Sequence, residues 1–289
     1  MQGTVDGFTY GLVTPVAAFL MACLGAALGL RCITRSLSTP RSFKAVWLAL
    51  GALSIGFGVW TVHFVAMTGF TVAEAPFAYD MPLTFAGLVM AVGMVGIGVF
   101  IVGYRGPTRM ALITGGSVTG LGVASMHYLG MAGMRMQGYF TYDLLGVVLS
   151  ALVPAIAATV ALWAAVAVRG LLASLGASVV MAVAVTGMHY TGMDALNVHL
   201  HPAASTVVDG GHGGVGGGHT FAEGAGSVAP IVPMLIGPAC FLLLAAVAVL
   251  IRRGTGTGAA GPRHREHDRA DGRRLRTDGR QAWADGRRP

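Results

Sequence analysis

Seven stretches of about 20 apolar residues set the limits on this fold: about Tyr10–Leu30, Val46–Met67, Leu83–Val102, Met110–Met131, Leu144–Val168, Leu171–Met193 and Val228–Ile251. Each matches the thickness of a bilayer's hydrocarbon core. Backbone exposed to lipid must satisfy its own hydrogen bonds, so each is expected to be a helix. The expected fold class is therefore all-α integral membrane, with seven transmembrane helices over residues 1–251. Composition agrees: 11% of the 289 residues are charged and the mean hydropathy is +0.69, where soluble domains carry about 25% charged residues. The fifth and sixth stretches are separated only by Arg169-Gly170, so they are expected to form an antiparallel hairpin. The N-terminal MQGTVDGFTYG has no positive region, so the first apolar run reads as a retained helix and not a signal peptide.

Charge placement gives the orientation. Arg31, Arg35, Arg41 and Lys44 lie between the first two stretches, Arg105 and Arg109 between the next two, and 11 arginines follow Ile251. With Arg169, that places 18 of the 19 basic residues on one side, and Arg135 alone on the other. Positive loops stay in the cytoplasm, so the N-terminus is expected outside and the C-terminus inside. The net charge of +7 thus reports membrane orientation; the bilayer is the expected partner and no nucleic acid is. Residues 252–289, Arg-rich and poor in aliphatics, are expected to be a disordered tail. Residues 203–227 read as a mobile Gly/His-rich external loop. Cys23, Cys32 and Cys240 show no metal or redox spacing.

Even-numbered helices carry a repeat. M188-H189-Y190-T191-G192-M193 matches M126-H127-Y128-L129-G130-M131 and, more loosely, V62-H63-F64-V65-A66-M67, with histidines 64 and 62 residues apart. Small residues also recur seven and five positions earlier: Gly56 and Gly58, Gly120 and Gly122, Ala182 and Ala184. Matched small residues permit close helix approach. The unit is therefore a helix hairpin used three times in one orientation, with the seventh helix outside the repeat.

Residues four apart share a helix face, so His63 and Met67, His127 and Met131, and His189 and Met193 each aim an imidazole and a thioether the same way. Histidine within a span usually faces the protein interior or an aqueous cavity, and three equivalent helices would converge these groups at one depth near the outer surface. Thioethers suit Cu(I) and imidazole suits copper generally, so copper is the first expectation. Haem, which accepts His or His/Met axial ligation, is the less favoured one. Tyr128, Tyr190 and Asp194 are candidates to hydrogen-bond the ligands. His199, His201, His212 and His219 are weaker candidates for external metal capture, and a solvated linker explains them equally well. Met134 and Met136 are ambiguous between ligand and packing. Duplicated core packing is the competing account of the whole repeat.

Helix pairs ending in such motifs resemble the MHYT family of bacterial integral membrane sensor domains. The third copy, Met188-His189-Tyr190-Thr191, matches the name motif in full, while the second has Leu129 and the first has Val62, Phe64 and Val65 around its histidine. The resemblance implies a seven-helix domain of the bacterial inner membrane that binds copper near its outer face and senses O2, CO or NO. It also implies an output domain or a separate signalling partner, and no catalytic motif in this chain supplies such an output. Copper transport or trafficking and a b-type haem redox protein remain the alternatives to a sensor.

Overall fold

The apolar stretches form seven helices in the computed structural model, which describes residues 5–6, 10–72, 78–136, 138–167, 171–200 and 231–254. They are α1 (Val13–Leu37), α2 (Arg41–Met67), α3 (Met81–Arg105), α4 (Arg109–Ala132), α5 (Leu144–Ala167), α6 (Leu171–Asp194) and α7 (Ile231–Gly254). The turn expected at Arg169-Gly170, the loop 203–227 and the tail beyond Gly254 lie outside the described residues, and with them His201, His212 and His219. Residues Met1–Ala246 make one unit and Val247–Pro289 a second; the three repeated hairpins and their histidines belong to the first.

Several helices outrun their apolar stretches. Helix α1 ends at Leu37 and α2 begins at Arg41, so Arg31, Arg35, Arg41 and Lys44 are helical instead of forming a loop. Long basic side chains lay their methylenes along apolar surface and keep their charge near its edge. Here the Arg35 guanidinium lies 4.8 Å from the Trp47 ring and the Lys44 ammonium 5.4 Å from Tyr104, within cation–π range. Similarly, α7 takes in Arg252 and Arg253, which were expected in the tail.

Among the described residues, five segments are long and apolar enough to cross a membrane: Val13–Leu37, Arg41–Met67, Met81–Arg105, Leu144–Ala167 and Ser174–Asp194. Helix α4 has the length but not the apolarity, because its sequence includes Thr114, Gly115, Gly116, Ser117, Thr119, Gly120 and Gly122. Those are the residues of a helix that faces other helices. Large apolar side chains instead cover the exterior: Val16 and Leu20 on α1, Val89 and Ile97 on α3, Leu152, Ile156 and Trp163 on α5 are all exposed. Such a surface requires lipid, and the chain is a multi-pass membrane protein.

Helices α1 to α6 close a ring. Each packs on the next, and α6 packs back on α1, while α2, α4 and α6 also meet one another. The matched small residues make this ring. A Cβ added at Gly58 would stand 2.9 Å from the Cα of Gly25 on α1, and one at Gly56 would stand 2.9 Å from the Cα of Val92 on α3. The second copy repeats the arrangement one step round: Gly122 abuts Met94 on α3 and Gly120 abuts Ala155 on α5. In both of these copies, then, one glycine packs an inner helix on its own hairpin partner and the other on the next hairpin. Ala182 and Ala184, the third pair, are buried.

Three antiparallel ribbons close the hairpins at the histidine end. Strand β1 (Val5–Asp6) pairs with β2 (Thr71–Val72), β3 (Ala78–Tyr79) with β4 (Met134–Arg135), and β5 (Gly138–Tyr142) with β6 (Leu196–Leu200). In every case the strand before an outer helix pairs with the strand after its inner helix. The repeat is therefore strand–helix–helix–strand, a fuller unit than the helix pair read from the sequence. Asp80 caps α3, accepting from the Leu83 N–H at 3.1 Å, and pairs with Arg135 of β4. These two contacts tie the second ribbon to its helix.

Candidate metal centre

Each motif histidine sits four or five residues before the end of its helix, on the face turned to the other two inner helices. His63, His127 and His189 are buried, with 2%, 1% and 3% of their surface exposed. Their ring centroids form a near-equilateral triangle: 5.1 Å between His63 and His127, 5.2 Å between His63 and His189, and 5.0 Å between His127 and His189. The rings meet edge to face, at 84°, 77° and 86°. One ligating atom from each lies within 4.8 Å of the others, the only such cluster of His, Cys, Asp or Glu among the described residues. The convergence expected from the repeat is thus present in the fold.

The ring nitrogens are poorly satisfied. Nδ1 of His63 and Nδ1 of His127 are 3.2 Å apart and share one hydrogen bond. Nε2 of both rings and Nδ1 of His189 are buried without a hydrogen-bond partner. A buried polar group left unpaired costs about 1–3 kcal/mol, and core packing alone gives no reason to tolerate three. A metal ion between the two Nδ1 atoms would take the place of their shared hydrogen bond. Imidazole nitrogens bind at about 2.0–2.1 Å, so two of them at a tetrahedral angle lie about 3.3 Å apart, close to the observed Nδ1 separation. The residues present fit a bound metal.

The methionines occupy the layer next to the histidines. Met67 and Met131 are buried in a cluster with Phe70, Met134 and Leu196, against which Met193 and Met136 pack from partly buried positions. All three motif thioethers are therefore in one place. Met134 and Met136, ambiguous in the sequence, join them because β4 folds back over the helix ends.

The hydrogen-bonding roles expected around the site are not those the structure shows. The Tyr128 hydroxyl lies 2.6 Å from Ser150 Oγ, and since Ser150 donates to the Val147 carbonyl, Tyr128 donates to Ser150. Its ring meets His127 edge-on, with centroids 5.0 Å apart. The Tyr190 hydroxyl is directed to Thr14, and its ring packs on His189 at 5.2 Å. Phe64 takes the corresponding place beside His63, so the position after each histidine supplies an aromatic edge, with or without a hydroxyl. Asp194 is exposed. Five residues past His189 turns it about 140° around the helix, too far to reach that ring. His199 lies on β6, stacked on Tyr139 at 5.0 Å with Nε2 3.1 Å from Thr141 Oγ1. It braces the third ribbon.

Two small residues absent from the sequence-derived candidates complete the site. Gly130 abuts the His63 ring and Gly192 abuts the His127 ring. Both stand three residues after a motif histidine, a spacing visible in H-Y-L-G and H-Y-T-G. A glycine inside a helix reads first as a helix–helix contact, and its contact with a ring is legible only once the helices are assembled.

Fold and site together define a helical membrane bundle built from a repeated hairpin, with three histidines buried at one end. Residues 56–115 and 120–178 match the MHYT family, described as the bacterial signalling protein N terminal repeat, and the chain belongs to that family. It is 40% identical over 159 residues to the bifunctional diguanylate cyclase/cyclic di-GMP phosphodiesterase MucR of Pseudomonas aeruginosa, covering 53% of this chain and 23% of MucR. It is 36% identical over 211 residues to the cyclic di-GMP phosphodiesterase NbdA of the same organism, covering 68% and 26%. The signaling protein YkoW of Bacillus subtilis is 30% identical over 198 residues, covering 66% and 24%. The chain thus spans about a quarter of the length of these relatives. No solved structure matches.

Proposed function

We propose that this chain is a membrane-embedded sensor domain whose three-histidine centre binds one metal ion, copper before others, and reports a diatomic gas or a redox change to a signalling partner. The observation that carries the reading is the buried triangle of His63, His127 and His189, with one ligating atom from each within 4.8 Å of the others. The family is described as a repeat of bacterial signalling proteins and YkoW is named as one, which favours sensing as the use of the site. The donor set favours copper: imidazoles beside a layer of thioethers, with no carboxylate or thiolate in the cluster. Zinc sites mostly use His, Cys and carboxylate, while thioethers select Cu(I). Bound copper would supply a soft centre able to change oxidation state or accept O2, CO or NO.

The chain's own residues give that centre its setting. Val62, Met126 and Met188 fill the core beside the three histidines, and Trp60 donates to the Thr84 carbonyl at 3.1 Å, fixing α2 against the start of α3. Water is kept out by the methionine layer on one side and the apolar core on the other. Because α2, α4 and α6 each contribute one histidine, a change at the centre acts on all three inner helices. The glycine contacts one to two turns deeper couple those helices to their outer partners.

Seven spans with the N-terminus outside accompany this reading, placing the centre near the outer face and its partner on the cytoplasmic side of an inner membrane. A binding role is preferred over catalysis. Haem is less well suited, because the three rings already touch edge to face and leave no slab between them for a macrocycle. Transport fits less well too: among the described residues no second His, Cys, Asp or Glu cluster lies deeper in the bundle to receive the ion. Optical and EPR spectra of detergent-purified protein, as isolated and reduced, test the assignment. A Cu(II) signal that disappears on reduction supports it; a Soret band overturns it in favour of haem.

A further inference from the structure

The repeat places a glycine three residues after the histidine in two of its copies, and each of these glycines meets the histidine of the preceding copy. A Cβ built on Gly130 of α4 would stand 2.5 Å from Nε2 of His63 and 3.0 Å from its Cδ2. One built on Gly192 of α6 would stand 2.6 Å from Nε2 of His127 and 3.1 Å from its Cδ2. Non-bonded carbon contacts rest at about 3.5–4.0 Å, so neither position accepts a methyl without the ring moving. The two contacts are the same contact, one step apart around the ring of helices. In both, the Nε2 edge is pressed on a neighbouring helix backbone and Nδ1 is turned to the centre, where the two Nδ1 atoms lie 3.2 Å apart.

We infer that Gly130 and Gly192 are positioning residues: they seat the His63 and His127 rings so that Nδ1, and not Nε2, is the nitrogen each offers to a bound ion. The glycine wall leaves no space for an ion at either Nε2. On His189 the buried nitrogen without a partner is Nδ1, whereas on the other two rings it is Nε2. The first copy has Ala66 at the corresponding place in its motif, so the three seats are not equivalent. Two histidines are held by glycine, and His189 is the ring without a glycine of this kind. The seat has a second consequence. With Nε2 closed off, the proton that each ring retains on coordination stays at Nε2, away from the ion.

The identity of the ligand rests on the metal reading above, whereas the seat is tested without any metal. In metal-free protein with 15N-labelled histidine, held in detergent, the shared hydrogen bond between His63 and His127 gives a slowly exchanging imidazole N–H resonance. That resonance is expected to vanish in Gly130→Ala and in Gly192→Ala and to persist in Ala66→Gly. Persistence in both glycine variants overturns the inference. On loading with Cu(I), long-range 1H–15N correlation is expected to show coordination at Nδ1 of His63 and His127, and each glycine variant is expected to lose at least about tenfold in Cu(I) affinity, the range seen when a ligand's support is removed. Coordination through Nε2 overturns the inference. Failure of the wild type to take up Cu(I) refutes the metal reading and leaves the seat to be judged by the metal-free resonance.

If Gly130→Ala does not fold, the pair His63→Ala with Gly130→Ala decides the matter. Removing the ring frees the space, so the double variant should recover the thermal stability of His63→Ala alone. A double variant as unstable as Gly130→Ala shows that the glycine serves helix packing and not the ring.

Discussion

At the scale of single residues, the three histidines of the candidate centre are legible in the sequence but their surroundings are not. His63, His127 and His189 were legible because each stands four or five residues before a helix end, and closely matched offsets on parallel helices give a similar depth. The roles given to Tyr128, Tyr190 and Asp194 were not legible, since a hydroxyl's partner depends on which neighbouring helix lies beside it: Ser150 on α5 in one case and Thr14 on α1 in the other. Asp80 reads in the sequence only as a charge and proves to be a cap. Its carboxyl is held below the usual range first by the Leu83 N–H and then by Arg135. A depressed carboxyl stabilises the fold above its unfolded pKa of about 3.9 and loses that contribution as pH falls through the folded value. Asp80→Asn should therefore lower Tm at pH 7, with the gap narrowing below about pH 4. A gap unchanged at acid pH would contradict this.

At the scale of elements, helix existence followed from apolar length and helix ends did not. Basic residues at the ends of α1, α2 and α3 continue the helix past the point where hydropathy falls, because their stems still cover apolar surface. The ribbons were invisible for a different reason: strands as short as Thr71–Val72 carry no periodicity, and only the pairing of the hairpin's two ends reveals them. The small-residue pairs were the most informative element-level signal, since Gly58 and Gly25 bring α1 and α2 into backbone contact. Gly58→Leu should destabilise the bundle by about 3 kcal/mol or more, read as a lowered thermal midpoint in detergent. Leu at Gly93, where an added Cβ meets nothing within 4 Å, should change the midpoint little. Equal effects at the two positions would refute the close-packing account. Similarly, cysteines at Thr141 and Asn197, facing each other on β5 and β6, should form a disulfide under oxidising conditions without reduction of the midpoint.

At the scale of the whole molecule, three hairpins generate a site that no single hairpin contains. One hairpin presents one imidazole at a helix end, whereas three arranged in a ring present a triangle about 5 Å on a side, closed from water by methionines that arrive from helices and a strand alike. Departures from threefold symmetry, Ala66 among them, give the triangle one distinct corner. The orientation assigned to this assembly predicts that a membrane-impermeant thiol reagent applied to intact cells labels a cysteine placed at Tyr139 and spares one placed at Thr108; the reverse pattern would invert the topology.

The central claim is that the triangle exists to hold an ion, and metal analysis of purified protein tests it most directly. Wild-type protein exposed to copper and then desalted should retain one copper per chain, and the His63→Ala, His127→Ala, His189→Ala triple variant, still folded by its thermal midpoint, should retain none. Wild-type protein without stoichiometric metal, or a triple variant that keeps its copper, would contradict the account.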